Sequence, residues 1–266
     1  METRIPPNPV KARLATGEPA IGLGVHLARS GEIAYIAKAT GHDFIWIDTQ
    51  HGLFDLETIR HLALTALALG VAPVVRVRGV EDPSVAHLLD GGVTGIVFPD
   101  IVSPEDAKRA VASVKFAPTG SRSLGGAYPQ FNYQRIPQSE AVPLLNETTV
   151  VVCMVETVAG LDNVEDIAAV EGVDVVHIGT SDMLNSMGKP GSHDDPEIVA
   201  AVDRVVAAAL AHGKHAGCGG NRTIDAQRKW IRRGVRFLTS NTDLGLVSVG
   251  AREWIDALRA PIEPRP

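Results

Sequence analysis

Short apolar runs alternate with helix-length segments along this 266-residue chain, and no other feature constrains its fold as strongly. Eight runs read as strands: AIGLGVHL, HDFIWIDT, APVVRVRG, GIVFPDI, VVVCMVET, DVVHIGTS, HAGCGG and RFLTSNT. Between them, segments such as DLETIRHLALTALALG, SPEDAKRAVASVKF and DPEIVAAVDRVVAAALAHG space their apolar residues three and four apart. That is the period of a helix packed by one face. Several open with Asp or Ser as candidate caps. Gly41, Gly70, Gly172, Gly213 and Gly234 each stand before a strand, where a left-handed residue closes the preceding helix. Strict alternation implies parallel strands joined by crossover helices. Eight such units in about 250 residues predict an α/β protein of the (β/α)₈ barrel type. The barrel is expected to be a single domain over residues 1–266, with residues 1–10 as an N-terminal tail. A doubly wound open sheet would instead place a glycine-rich phosphate turn after the first strand. Gly22 and Gly24 lie within that strand, and no third glycine opens the next helix.

Composition narrows the function classes. Hydrophobic residues make up 45% and charged residues 21%, as in a globular core-forming chain. Lys and Arg form no stripe and the net charge is −6, which argues against nucleic acid as a partner. No apolar run is long enough to span a membrane. Met1 to Pro9 is polar and proline-rich, without the apolar centre of a signal peptide. A cytoplasmic enzyme is the expectation. Cys153 and Cys218 sit in apolar strands and read as small buried residues, with no zinc-type spacing.

In a (β/α)₈ barrel the chemistry gathers at the C-terminal ends of the strands. The strand ends here carry His26, Asp48, His51, Arg76, Asp100, Glu156, Asp182, Asn221, Asn241 and Asp243. Glu156 and Asp182 come from neighbouring strands. Two adjacent carboxylates repel unless a cation or a shared proton lies between them, so they form a candidate Mg²⁺ or Mn²⁺ site. They could equally be unrelated acids, each facing a helix N-terminus. Arg76 lies inside an apolar strand and needs an anion. Glu156 or Asp182 would serve structurally, and a substrate carboxylate or enolate would serve functionally. Arg78, on the same face, is expected to be more solvated. His51 follows Asp48 by three residues; a carboxylate that orients an imidazole makes it a candidate general base. His26, His177 and His193 have no such neighbour and read as bystanders. The small residues Gly179, Thr180 and Ser181 precede Asp182 at a strand-to-helix turn, whose N–H groups suit a carboxylate.

A Schiff-base mechanism would need a lysine on a strand. Lys38, Lys108, Lys115 and Lys229 fall in helical stretches, Lys11 and Lys189 outside elements, and Lys214 at the wrong end of its strand. Residues 117–136 form an irregular stretch longer than a connection requires, which suggests a functional loop.

These residues occur in a specific order. An Asp-x-x-His-Gly segment (Asp48 to Gly52) precedes VVR (Val74 to Arg76) and a GxRS loop at Gly120. Next come ETxxGLxNxxxIAAVEGVDxxxIGxxD from Glu156 to Asp182, then MGxPG and a DPE helix start. The order resembles the class II pyruvate aldolases of the HpcH/HpaI type, over roughly residues 11–258. The resemblance implies Glu156 and Asp182 as ligands of Mg²⁺ or Mn²⁺, with Co²⁺ a further option. It implies His51 as catalytic base supported by Asp48, and Arg76 on the pyruvate oxygens. It places the pyruvate carboxylate on the turn formed by Gly179, Thr180, Ser181 and Asp182, and Arg122 with its loop near the mouth of the site. It also implies a homo-oligomer, trimer or hexamer, in which the final helix (LVSVGAREWIDALRA) exchanges between partners.

The expected reaction makes or breaks a 4-hydroxy-2-oxo acid, releasing pyruvate and an aldehyde. Two alternatives share parts of the site: an acyl-CoA lyase of the malyl or citryl type, which would not need the Asp48–His51 pair, and a non-catalytic carboxylate-binding barrel. The chain departs from many relatives at Gln50 (commonly Glu), at Thr180-Ser181 (commonly Pro-Ala) and at Gly24 (commonly Trp, here with His26 nearby). These departures bear on the substrate more than on the chemistry.

Overall fold

The computed structural model describes residues 7–261. Its strands are β1 (Ala20–Val25), β2 (Phe44–Asp48), β3 (Ala72–Arg76), β4 (Gly95–Phe98), β5 (Val150–Val155), β6 (Val175–Gly179), β7 (His215–Gly219) and β8 (Val235–Thr242). Each pairs in parallel with the next, and β8 pairs with β1, so the sheet closes into the expected (β/α)₈ barrel. The helices are α1 (Pro9–Ala15), α2 (Glu32–Ala39), α3 (Leu56–Ala68), α4 (Val85–Asp90), α5 (Pro104–Val114), α6 (Gln138–Thr148), α7 (Val158–Asp162), α8 (Val164–Ala169), α9 (Thr180–Ser186), α10 (Pro196–Ala211), α11 (Ile224–Arg232) and α12 (Asp243–Arg259). The five glycines read as helix closers all have positive φ, between 66° and 106°. No described helix is long and apolar enough to cross a membrane.

Two cores follow from the alternation of side chains along each strand. Ile45, Ile47, Val75, Val151, Val176 and Ile178 point outward and pack against the helices. Phe44, Trp46, Val74, Val97, Val152, Met154 and Phe237 point inward and fill the barrel, with Phe44 and Phe237 stacked at 4.7 Å. Gly22 makes room for them, since a Cβ there would meet the Phe44 ring at 2.2 Å. The inward series is what positions the site, because Phe44, Trp46 and Asp48 share one face, as do Ala72, Val74 and Arg76.

The N-terminal tail is shorter than its expected extent. Asn8 caps α1, accepting a hydrogen bond from the Val10 N–H at 3.0 Å. Val10 and Leu14 are buried against the barrel interior. Residues 9 and 10 are thus core-facing helix; residues 1–6 lie outside the described residues.

The long stretch 117–136 also differs from expectation. It follows a helix, so it is an αβ connection and lies at the N-terminal face of the barrel, opposite the strand ends that carry chemistry. Its small cluster includes Phe116, Tyr128 and Phe131. Gln130 donates to the carbonyls of Leu89 and Val93, just ahead of β4. Arg122 is buried there, with Nη2 2.6 Å from Asp90 Oδ1 and its guanidinium 4.5 Å from the Phe116 ring centre. Within this chain, Arg122 therefore braces the loop and does not face the mouth of the site.

Helix α12 packs little of itself against this chain. Val247, Trp254 and Leu258 are each more than 60% exposed, and Asp243 is its only buried residue.

Candidate active site

The parallel register places Asp48 directly beside Arg76. Both are inward-facing and at the same height, one residue short of the loops. Arg76 Nε donates to Asp48 Oδ1 at 3.0 Å and Nη2 donates to Oδ2. This two-pronged pair answers the need for an anion next to Arg76, and neither Glu156 nor Asp182 supplies it. Burial opposes ionisation of Asp48, but the hydrogen bonds and charge of Arg76 outweigh it and hold the carboxyl below its ordinary value.

The proposed Asp48–His51 dyad takes a different form. Asp48 Oδ1 accepts from the backbone N–H groups of Gln50 and His51, at 3.0 and 3.3 Å. It shapes the turn that carries His51 and does not touch the His51 imidazole. The ring near Asp48 is that of His26, whose Nε2 lies 3.6 Å from Asp48 Oδ2. Asp243 holds this segment by accepting from the N–H groups of His26, Leu27 and Ala28. His26 is thus no bystander. The His51 side chain is exposed and faces the cavity.

Glu156, one residue past β5, is 2% exposed. Its Oε1 accepts from the Asp100 N–H at 3.0 Å, while its Oε2 is buried without a partner. Asp100 achieves this at a φ of 56°, a left-handed conformation that costs a non-glycine residue energy. Burial raises the Glu156 pKa to about 7; the Asp100 N–H opposes this and the charges of Asp100 and Asp182 add to it. Gly179 leaves space for the carboxylate, since a Cβ there would lie 2.5 Å from Oε2. Asp182 stands in the first turn of α9, and Thr180 ties that turn to β7 by donating to the Gly219 carbonyl at 2.8 Å.

Two adjoining cavities join these groups. One, of about 210 Å³, is lined by His51, Arg76, His177, Ser181, Asp182 and Arg222 among others. The other, of about 240 Å³, holds Asp100 and Glu156 and shares His51 and Asp182 with the first. Of the strand-end residues singled out by sequence, His51, Arg76, Asp100, Glu156 and Asp182 line these cavities, Asp48 pairs with Arg76 behind them, and Asn221, Asn241, Asp243 and His26 do not line them; Arg122 lies at the opposite face. No group of three His, Cys, Asp or Glu side chains converges on one point among the described residues. A divalent cation fits nonetheless: Glu156 offers an unsatisfied oxygen, Asp182 a second carboxylate, and hard cations keep water or substrate oxygens in their remaining positions.

Of the titratable residues that line the cavities, sequence reasoning read His177 as a bystander and did not single out Arg222. His177 is buried on the inward face of β6, its ring 5.5 Å from that of Trp46, and burial lowers its pKa to about 3. The period-two pattern of β6 was the available signal. Arg222 follows Asn221 at the β7 end, a position that its strand-end location alone could have flagged. Arg78 behaves as expected, 69% exposed and paired with Asp82. Cys153 and Cys218 are buried free thiols.

The family model described as HpcH/HpaI aldolase/citrate lyase matches residues 25–248. A 4-hydroxy-4-methyl-2-oxoglutarate aldolase of Chaetomium globosum is 32% identical, over 94% of this chain and 95% of its own length. A hydroxypyruvate/pyruvate aldolase of Cupriavidus necator is 31% identical, over 95% and 93%. The crystal structure of an HpcH/HpaI aldolase from Desulfitobacterium hafniense superposes with a TM-score of 0.90 at 25% identity, covering 96% of this chain and 98% of that one.

Proposed function

Because the chain belongs to the HpcH/HpaI aldolase/citrate lyase family, we propose that it is a divalent-metal-dependent pyruvate aldolase. It cleaves or forms 4-hydroxy-2-oxo acids, with pyruvate and an aldehyde as the other partners. The observation that carries this reading is the buried, unpartnered Glu156 oxygen in a cavity system that also holds Asp182, Arg76 and His51. The full-length likeness to named aldolases favours it over the acyl-CoA lyase alternative.

Glu156 and Asp182 would hold Mg²⁺ or Mn²⁺, with Co²⁺ as a further option, and the bound cation would supply Lewis-acid withdrawal of charge from the 2-oxo group. Arg76 adds a fixed positive charge where the enolate oxygen develops, and Asp48 keeps its guanidinium in place. The backbone N–H groups of Ser181 and Asp182, after Gly179 and Thr180 at the start of α9, receive the substrate carboxylate. His51 takes the proton from the C4 hydroxyl in cleavage and returns it in synthesis. As the C3–C4 bond breaks, its electron pair becomes the enolate of pyruvate and C4 leaves as the aldehyde carbon. The exposed apolar residues of α12 support a homo-oligomer, trimer or hexamer, in which this helix packs on a neighbouring copy.

The test is pyruvate release from a panel of 4-hydroxy-2-oxo acids, coupled to lactate dehydrogenase, with Mg²⁺, with Mn²⁺ and with EDTA. Release that EDTA abolishes supports the reading. No release from any member under any condition would overturn it.

A further inference from the structure

Three non-glycine residues among the described ones have a positive φ: Asp100, Asn132 and Tyr133. Asn132 and Tyr133 belong to the connection at the N-terminal face. Of the three, Asp100, at 56°, lines a cavity of the candidate site. It stands two residues past β4, after Pro99, whose ring has no N–H to donate. An extended strand sends successive N–H groups to opposite sides. A left-handed residue turns two successive ones to the same side. Here both go to the end of β5: the Asp100 N–H to Glu156 Oε1 and the Ile101 N–H to the Met154 carbonyl, each at 3.0 Å.

The residues after this turn are held in place. Ile101 is fully buried, and the Asn163 side-chain amide donates to the Val102 carbonyl at 2.8 Å. Helix α7 begins two residues after Glu156. It packs so closely on the turn that a Cβ on Gly160 would lie 2.7 Å from the Ile101 carbonyl oxygen. The turn after β4 and the turn after β5 are therefore locked together. With these neighbours fixed, the φ of Asp100 sets the direction of its N–H. That N–H takes Oε1 of Glu156, while Oε2 stays buried without a partner in the space that Gly179 leaves. A backbone donor on one oxygen alone decides which oxygen of Glu156 is free.

Building on the metal-dependent aldolase reading, we propose that Asp100 is a positioning residue of this site: its left-handed backbone pins Glu156 Oε1 and so presets Oε2 for the cation. The role belongs to the Asp100 backbone and not to its carboxylate. A carboxylate fixed beforehand loses little rotamer freedom when the cation arrives. Asp suits the position because Asp and Asn tolerate the left-handed region better than most residues that carry a side chain, and a β-branched residue tolerates it least.

The test is Mn²⁺ affinity, measured by calorimetry, in Asp100→Asn, Asp100→Gly and Asp100→Val. All three lack the carboxylate, so the loss of its charge is common to them and the backbone preference is what differs. Asp100→Asn and Asp100→Gly are expected to bind alike. Asp100→Val is expected to bind roughly 5- to 30-fold more weakly, the equivalent of the left-handed penalty on an ordinary residue. Asp100→Ala adds no bulk, disfavours the same region and carries the same expectation if the valine variant does not fold. Equal affinities across the series would overturn the proposal, even with a lower Tm for Asp100→Val, because a turn with a purely structural role lowers Tm alone. Glu156→Gln separates this inference from the reading beneath it. Mn²⁺ binding lost in Glu156→Gln, with equal affinities across the Asp100 series, sinks the role of Asp100 alone. A wild type that neither binds Mn²⁺ nor releases pyruvate sinks the aldolase reading and the inference with it.

Discussion

Asp48 and Arg76, neighbours in register on β2 and β3, form a buried two-pronged ion pair on the inner face of the barrel. The pair gives Arg76 a fixed direction before any substrate arrives. It also leaves the guanidinium dependent on one carboxylate.

Removing one partner of a buried pair leaves an uncompensated charge, at a cost of about 3–5 kcal/mol. Asp48→Ala is expected to lose stability of that order in urea unfolding. The double variant Asp48→Ala/Arg76→Leu is expected to lose less than the sum of the two single variants, because neither charge is then orphaned. Additive losses would show that the pair contributes nothing beyond its parts.

The His51 imidazole makes no contact with the Asp48 carboxylate, which accepts only from the His51 backbone N–H, so replacing the side chain removes a proton acceptor and leaves the pair in place. His51→Ala is expected to slow aldol cleavage by about 10²- to 10⁴-fold while Mn²⁺ still binds, as followed by calorimetry. Full activity in this variant would displace His51 from the role of base.

These two residues also show what the sequence made legible. A strand that ends in Asp, Arg or Glu announces its polar end without reference to any other strand, and Asp48, Arg76, Glu156 and Asp182 could be picked out that way. Which strand-end groups touch depends on register and barrel closure, which no local pattern encodes. Asp48 was therefore matched with His51 three residues away and not with Arg76 across the ladder. His26 looked isolated because its partner Asp48 lies on the next strand. Arg122 shows the converse, since its loop follows a helix and chain order alone assigns it to the opposite face.

Gly179 leaves the space that Glu156 occupies. Gly179→Ala would place a Cβ 2.5 Å from Glu156 Oε2 and 2.8 Å from the Met154 methyl. Its Mn²⁺ affinity is expected to fall at least about tenfold, a coupling of about 1.4 kcal/mol. Gly126→Ala, where a Cβ meets nothing within 4 Å, is expected to bind as the wild type does. Equal affinities for all three proteins would remove Glu156 from the metal site.

His177 confers a pH dependence on stability. Its pKa is lowered from 6.5 to about 3, by burial first and then by the charges of Arg76 and Arg222. As pH falls, the unfolded chain takes up this proton before the folded one does. The stability associated with the neutral ring is complete above pH 6.5 and is lost progressively toward pH 3. His177→Gln, which does not titrate, is expected to show a shallower fall of Tm over that window. Parallel Tm curves for the two proteins would refute this.

The apolar surface of α12 includes Trp254 at 73% exposure and Leu258 at 69%. If this helix packs on a neighbouring copy, Trp254→Asp is expected to reduce the mass measured by light scattering to that of a smaller species. An unchanged assembly would place the interface elsewhere.

The central claim is that this barrel generates a pyruvate enolate at Glu156, Asp182 and Arg76. Proton NMR of pyruvate in D₂O tests it most directly, because it needs no knowledge of the aldehyde. The wild type with Mg²⁺ or Mn²⁺ is expected to wash out the pyruvate methyl signal, and EDTA or Arg76→Leu to stop the loss. A methyl signal that persists with enzyme and metal, or one lost equally in EDTA, would contradict it.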